Sequence, residues 1–313
     1  MKKITLILVI LAMMVIPVFA GGQQEAAENG KTEIALIIKA TDSGFWQKVI
    51  EGGEKYAAEN ADVNVTVYGP ASEADVEEAI GILENVVESG PDAIVIATNA
   101  GDGAVPAVQN ALSQGIPVIT VDTKIPTDVT SHLATDNVLG GKLAADAMVE
   151  FFDEYGIAKK GTVAIVAAVA GVDTIIERDG GFIDQLKILA PEIKILDPRY
   201  VDNDIAKSMT TAEDLITTYD DLIGIYADNN HTGDGVALAI EQAGYQDKIM
   251  VVAFDDDEDE IIALKNGVIK ALIIQDSFNM GYSGCAYAVK ALAGETLPKF
   301  VDTGVQVTKK EDL

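Results

Sequence analysis

Short apolar runs alternating with longer amphipathic stretches constrain this chain more than any other feature. The runs are Ile34–Ile38, Val63–Tyr68, Ala93–Ile96 and Val118–Val121, followed by Val163–Val166, Ile193–Leu196, Gly224–Tyr226, Met250–Ala253 and Ala271–Ile274. They are rich in Val and Ile, and most lack polar alternation, as strands buried on both faces do. Between them, Trp46–Glu59, Glu73–Glu88, Ala104–Gln114 and Val138–Tyr155 carry apolar residues at helical spacing with charged outer faces. Strand–helix alternation predicts parallel sheets with right-handed crossovers. Two sets of it predict an α/β chain of two doubly wound parallel-sheet lobes. Ligands of such sheets sit beyond the carboxyl ends of the strands.

The N-terminus reads as an export signal. Lys2 and Lys3 precede the apolar run Ile4–Ile16, and Pro17–Ala20 ends in a small residue. This is the pattern of a cleavable signal peptide over 1–20, cut after Ala20, and the run is too short for a comfortable membrane span. Gly21 rather than Cys follows, so lipid attachment to a cysteine is not available there. Residues 21–31 are small, polar and acidic, as a flexible leader is. A soluble periplasmic protein is expected. Loss of the signal takes the net charge from −28 to −30, which repels nucleic acid and anionic membrane surfaces. Cys285 is the single cysteine, so no intramolecular disulfide forms.

The strand ends carry the candidate chemistry. The first strand runs into Lys39, Ser43, Phe45 and Trp46, and the fourth into Asp122 and Thr123. In the second set, Val166 leads through Val169 to Asp173 and Arg178. Tyr226 leads to Asp228, Asn229 and Asn230, Ala253 to Phe254 and Asp255, and Ile274 to Gln275. Carboxylates, amides and an arginine pair with hydroxyls that donate once and accept twice. Aromatic rings pack on the C–H faces of a sugar ring. The set suits a neutral polyhydroxyl ligand.

At these residues the chain resembles the ribose-binding protein family, the periplasmic sugar-binding components of ABC importers. The resemblance runs from about Glu33 to Thr308. It is carried by IALIIKATDSGFWQ at Ile34, IPVITVDT at Ile116, SHLATDNVLGGKLA at Ser131, RDGGF at Arg178, YADNN at Tyr226, VVAFD at Val251 and ALIIQDSFNMG at Ala271. It implies the type I periplasmic binding fold, with two lobes joined by a three-strand hinge near Thr135, Gln275 and Gly304. The lobes would be 32–135 with 276–304, and 136–275 with 305–313. It places Phe45 and Trp46 on the sugar ring and Asp122, Arg178, Asn229, Asp255 and Gln275 at polar ligand positions. Thr135, Val169 and Phe254 complete the implied site with Ser43. Lys39, Ala97, Thr123 and Asn203 depart from the ribose-specific pattern, standing for a small hydroxyl residue, an amide, an arginine and an aromatic. Lys39 has two readings: pairing with Asp42 or Asp122, or binding a carboxylate or phosphate of the ligand.

The implied function is non-enzymatic capture of a monosaccharide or polyol, without cofactor, by a monomer that delivers it to a membrane ABC permease and in some members to a chemoreceptor. The alternative is a sensory module that presents a small signal molecule to a receptor. A sugar-responsive repressor disagrees with the signal peptide and the acidity. A glycosidase would need two carboxylates facing across a bond, a role open to Asp122 and Asp255. Other motifs fail. The acidic run Asp255–Glu260 lacks the spacing of a calcium loop and suits the first turn of a helix. His132 and His231 have no second His or Cys nearby in sequence, so no metal site is expected.

Overall fold

The computed structural model describes residues 30–313. The signal peptide, its cleavage after Ala20 and most of the leader lie outside the described residues. Among the described residues no helix is long and apolar enough to cross a membrane.

Two parallel sheets organise the chain, with elements numbered in chain order. The first contains β1 (Thr32–Ile37), β2 (Val63–Tyr68), β3 (Ala93–Ile96), β4 (Val118–Val121), β5 (Ser131–Ala134) and β12 (Phe300–Asp302), in the order β2-β1-β3-β4-β5-β12. The second contains β6 (Gly161–Ala167), β7 (Ile193–Ile195), β9 (Leu222–Ala227), β10 (Met250–Phe254), β11 (Ile269–Gln275) and β13 (Val305–Lys309), in the order β7-β6-β9-β10-β11-β13. A short β8 (Arg199–Tyr200) pairs with β6. Only β13 is antiparallel to its neighbour. The first five strands of each set therefore repeat one doubly wound order.

Helices cover both faces of each sheet, which is why the central strands are apolar throughout. On the first sheet, α1 (Gly44–Glu59) and α9 (Ser277–Leu292) bury Val49, Tyr56, Met280 and Cys285 against Leu36, Val95 and Val121. Helices α2 (Val76–Ser89) and α3 (Val105–Ser113) bury Leu83, Val87 and Val108 against Ile37 and Ile94. On the second sheet, α4 (Asn137–Glu154) and α5 (Asp173–Leu189) bury Met148, Phe152, Phe182 and Leu186 against Val163, Ile165 and Val252. Helices α6 (Ile205–Thr218), α7 (Asn230–Ala243) and α8 (Glu258–Lys265) cover its other face with Leu215, Val236, Ile240 and Leu264. At about 25 cal/mol per Å² of apolar surface, such burial is the main force holding a chain without a disulfide.

The chain passes between the sheets three times. Thr135 and Asp136 lead from β5 to α4, Asp276 from β11 to α9, and Thr303 and Gly304 from β12 to β13. Two passages run side by side: Thr303 N donates to Ala134 O at 3.0 Å, and Thr135 Oγ1 to Gly304 O at 3.3 Å. Gly304 has φ +86°, a backbone conformation that favours glycine. Asp136 and Asp276 then cap α4 and α9 by accepting from Leu139 N and Asn279 N.

Strands β5, β8, β12 and β13 were not foreseen from apolar patterning. β5 reads Ser-His-Leu-Ala, and its buried polar groups are matched individually. Ser131 Oγ donates to Pro298 O at 2.7 Å, and His132 Nδ1 lies 2.9 Å from Thr120 Oγ1. Burial pushes His132 down to about 4, so it stays neutral. The helix expected from Glu73 begins at Val76, which leaves Glu73 in the preceding turn.

Candidate functional site

The carboxyl ends of both sheets face one cleft. Its walls include Lys39, Phe45, Trp46, Asp122, Val169, Arg178, Asn229, Asp255 and Gln275, all expected from sequence, around about 390 Å³ of space counted out to the mouth. The first four come from the first sheet and its α1, the rest from the second. Glu73, Ala168, Val172, Thr174, Ile175 and Asn230 also line it and were not singled out as ligand residues. Ser43, Thr123, Thr135, Asn203 and Phe254 do not line it but touch residues that do, or the crossing strands. Thr123 Oγ1 donates to Asp122 Oδ2 at 2.7 Å. Asn203 Oδ1 accepts from Asn229 Nδ2 at 2.5 Å. Thr135 belongs to the passage beside Gly304.

Two carboxylates occupy matching places. Asp122 follows β4 and Asp255 follows β10, with φ 61° and 82° respectively. Their amides donate to the next strand, at Leu133 O and Ile273 O. A non-glycine residue in this region costs about 1–3 kcal/mol, and Asp tolerates it better than most. The conformation turns each side chain off the sheet edge into the cleft.

Their electrostatics differ. Burial alone would raise Asp122, but Lys39 and Arg178, with the Thr123 hydroxyl, hold its carboxyl below the usual carboxylate range. Lys39 Nζ is 2.7 Å from Asp122 Oδ2, and both side chains are 4% exposed. Of the two readings of Lys39, the structure places it on Asp122, with its ammonium 5.5 Å from the Trp46 ring centroid. Asp255 is pushed up to about 6 by burial, although Arg178 and a 2.7 Å bond from Gln275 Nε2 oppose this.

Arg178 is the central cation of the second sheet. Its Nε donates to Asn137 Oδ1 at 2.9 Å and its Nη1 to the Asp228 carbonyl at 2.8 Å. Its guanidinium carbon lies 3.9 Å from the Phe254 ring centroid, which explains why Phe254 sits beneath the cleft rather than in its wall. Local packing sets this depth. A Cβ on Gly141 would strike the Arg178 carbonyl, so only glycine lets α4 approach α5 this closely. Gly52 and Gly281 serve the same close approach between α1 and α9. Behind Arg178 lie Asp179, Asp228 and Tyr226. Burial pushes Asp179 up to about 7 and Asp228 well above the ordinary range, so the tightly coupled pair does not carry two full charges.

The aromatic corner is rigid. Phe45 and Trp46 meet edge to face, with centroids 4.8 Å apart. Trp46 is 1% exposed, and its buried N–H donates to Glu73 Oε1 at 2.6 Å. Asn99 Nδ2 donates to the other Glu73 oxygen at 3.2 Å.

At the rim, residues of the two sheets' helices and loops bond directly. Lys48 Nζ pairs with Asp256 Oδ1 at 2.6 Å. Asn230 Nδ2 donates to Ser43 Oγ at 2.9 Å and to Asp257 Oδ2 at 3.0 Å. Lys124 and Glu177 approach to 3.4 Å. The acidic run supplies the cleft (Asp255), this rim (Asp256) and the α8 cap (Asp257). Its last member, Glu260, is buried rather than set on an exposed first turn, and burial raises it well above the usual range.

The arrangement can surround a small hydroxylated molecule with acceptors, donors and one aromatic corner. Comparison with known proteins agrees with this chemistry. Residues 34–296 match the family model described as periplasmic binding protein domain. The chain is 31% identical to the ribose import binding protein of Salmonella typhimurium over 286 residues, covering 91% of this chain and 93% of that one. Among solved structures, it is similar to a carbohydrate transporter solute-binding protein of Agrobacterium radiobacter in complex with D-arabinose. The TM-score is 0.86 and the identity 32%, over 91% of this chain and 96% of that one. A solute-binding protein of Agrobacterium vitis with bound D-fucose gives 0.84 and 34%, over 90% and 96%.

Proposed function

The chain belongs to the periplasmic binding protein domain family, and we propose that it captures a neutral monosaccharide or related polyol for an ABC importer. The observation that carries this reading is the lining of the cleft. Asp122, Asp255, Asn229, Gln275 and Arg178 offer directional partners to hydroxyls, and Phe45 with Trp46 offers an apolar edge. The relatives named for ribose, and those solved with D-arabinose and D-fucose, support the ligand class.

In this reading the passages at Thr135–Asp136, Asp276 and Thr303–Gly304 are the hinge. The lobes are 32–135 with 276–304, and 136–275 with 305–313. Ligand bound to one lobe is completed by the other, so it favours closure by its differential affinity for the closed state. The rim bonds Lys48–Asp256 and Asn230–Ser43 then form across the lobes. The closed shape is what the permease receives. The protein acts in the periplasm as a monomer after cleavage at Ala20, and it binds rather than converts its ligand. Membership of a solute-binding family supports the last point, as does the commitment of Asp122 to Lys39 and Thr123.

The test is a titration of refolded, ligand-stripped mature protein with D-ribose, D-arabinose, D-fucose, D-allose and xylitol. Binding at micromolar or lower Kd to at least one, lost in Arg178→Ala, is the expected outcome. A ligand at about a hundred times its Kd stabilises the folded form by about 2.7 kcal/mol, so thermal shift reads it independently. No binding to any member would refute the neutral-sugar reading.

A further inference from the structure

We propose that Glu73 is a specificity-determining residue of the cleft, which fixes the Trp46 wall and rejects anionic ligands. The proposal rests on the neutral-sugar reading above and says what that site excludes.

The position of Glu73 is unusual for the residue it partners. Trp46 is the only tryptophan in the chain and is almost fully buried. An indole N–H has one donor and needs one acceptor when it leaves water. Glu73 Oε1 supplies it at 2.6 Å from a turn 27 residues away in sequence. Asn99 Nδ2 bonds both the backbone carbonyl and the second carboxylate oxygen of Glu73, each at 3.2 Å. The carboxylate is thus held from two sides, and it lines the cleft. Each of its oxygens accepts from one protein donor, so each retains a lone pair for a ligand hydroxyl.

Charge decides the second half. The cleft lining holds Lys39 and Arg178 against Glu73, Asp122 and Asp255. Lys39 is paired, and Arg178 is shared between the protein and the ligand. Lys39 pairs with Asp122, and Arg178 serves Asn137, the Asp228 carbonyl and the Phe254 face. Arg178 keeps its Nη2 donors for ligand hydroxyls, but three carboxylates of the lining outnumber its two cations. Glu73, half-buried in the cleft lining, supplies the surplus negative charge. Had Lys39 been free, a sugar acid would have had a natural partner. The Asp122 pairing removes that partner, and Glu73 adds repulsion.

The experiment compares wild type, Glu73→Gln and Glu73→Ala. Each variant is titrated with the neutral sugars named above and with D-galacturonate and D-glucuronate, following heat and Trp46 fluorescence. Glu73→Gln keeps an acceptor for the indole and loses the charge. Its acid-to-neutral affinity ratio should rise about tenfold or more, whatever shift the neutral-sugar Kd itself shows. Glu73→Ala loses both. Its neutral-sugar Kd should weaken by about tenfold, with an altered Trp46 emission in the unliganded protein. An unchanged acid-to-neutral ratio in Glu73→Gln would overturn the exclusion role. Unchanged emission and affinity in Glu73→Ala would overturn the wall-fixing role. Failure of the wild type to bind any neutral sugar would overturn the functional reading itself, and the proposal with it.

Discussion

Lowering the pH from about 7 to about 5 should weaken neutral-sugar binding about tenfold, through Asp255. Burial pushes this carboxyl up to about 6. Arg178 and Gln275 pull it down, while Asp256 and Asp122 push it further up. A group with that value is about nine-tenths ionised at pH 7 and about one-tenth at pH 5. If the ligand hydroxyl donates to ionised Asp255, the apparent Kd rises by the ratio of those fractions, about tenfold. Asp122 adds nothing in this range, because Lys39 and Arg178 hold it below the ordinary carboxylate value. Asp179, at about 7 behind Arg178, titrates in wild type and variant alike. The assay is calorimetric titration at about pH 5, 6 and 7 with wild type and Asp255→Asn, the sugar being whichever binds the wild type. The variant should lose the change of about tenfold due to Asp255 and keep only the part that Asp179 gives both proteins. A flat wild-type profile, an equal slope in both proteins, or tighter binding at pH 5 would refute the reasoning. The last would mean that protonated Asp255 donates to the ligand.

Stability of the unliganded protein should run the other way. Asp255, Asp179 and Asp234 stand at about 6, 7 and 8 in the fold, against an ordinary 3.8, each raised chiefly by burial. The folded value exceeds the unfolded one, so this stabilisation is fully present below the ordinary carboxylate range and lost as pH rises through about 6 to 8. Tm should therefore climb from about pH 8 to about pH 5, as calorimetry would read. Lys48→Met touches no cleft residue, yet by removing the part-exposed rim pair it should weaken sugar binding by about two- to fivefold. A binding isotherm identical to wild type would contradict closure through that rim. Gly141→Ala should cost about 1–3 kcal/mol in denaturant unfolding and more than about tenfold in affinity, because its Cβ drives α5 and Arg178 away from α4. Loss of stability with unchanged affinity would show that Arg178 does not depend on this contact.

The fold was legible because its strands are buried on both faces and its helices are not. Each foreseen run has a strand at its core, and each covering helix exposes one side. What escaped was structure without that contrast. β5 satisfies buried polar side chains one by one, and β8, β12 and β13 are two to five residues long. In the cleft, residues at the first position beyond a strand were readable, because a doubly wound sheet sends those positions to one edge. Glu73 was not. It follows no strand directly, and its spacing matched the helix that begins three residues later. The signal was the solitary buried tryptophan, whose indole needs an acceptor that no sequence neighbour supplies. Phe254 and Thr123 stand one layer behind the cleft wall. Residue order fixes which strand end a side chain follows, not whether a neighbour's guanidinium or carboxylate stands in front of it.

The matching places of Asp122 and Asp255 suggest a division of labour. Both end the fourth strand of a repeated order, both adopt positive φ, and both bond the next strand through their amides. Yet one sits against a lysine, and the other against an amide and a second acid. Asp122 is consequently an ionised acceptor through the range in which Asp255 titrates, and Asp255 is one only above about 6. If the first lobe holds the sugar and the second closes on it, acidification should spare the first encounter and loosen the closed state. The pH effect would then lie in the dissociation rate. Stopped-flow Trp46 fluorescence reads the two rates separately. A constant association rate with a dissociation rate that rises about tenfold between pH 7 and pH 5 is the expected pattern. An association rate that carries the whole change would mean that Asp255 acts before closure, and that the two carboxylates share one step.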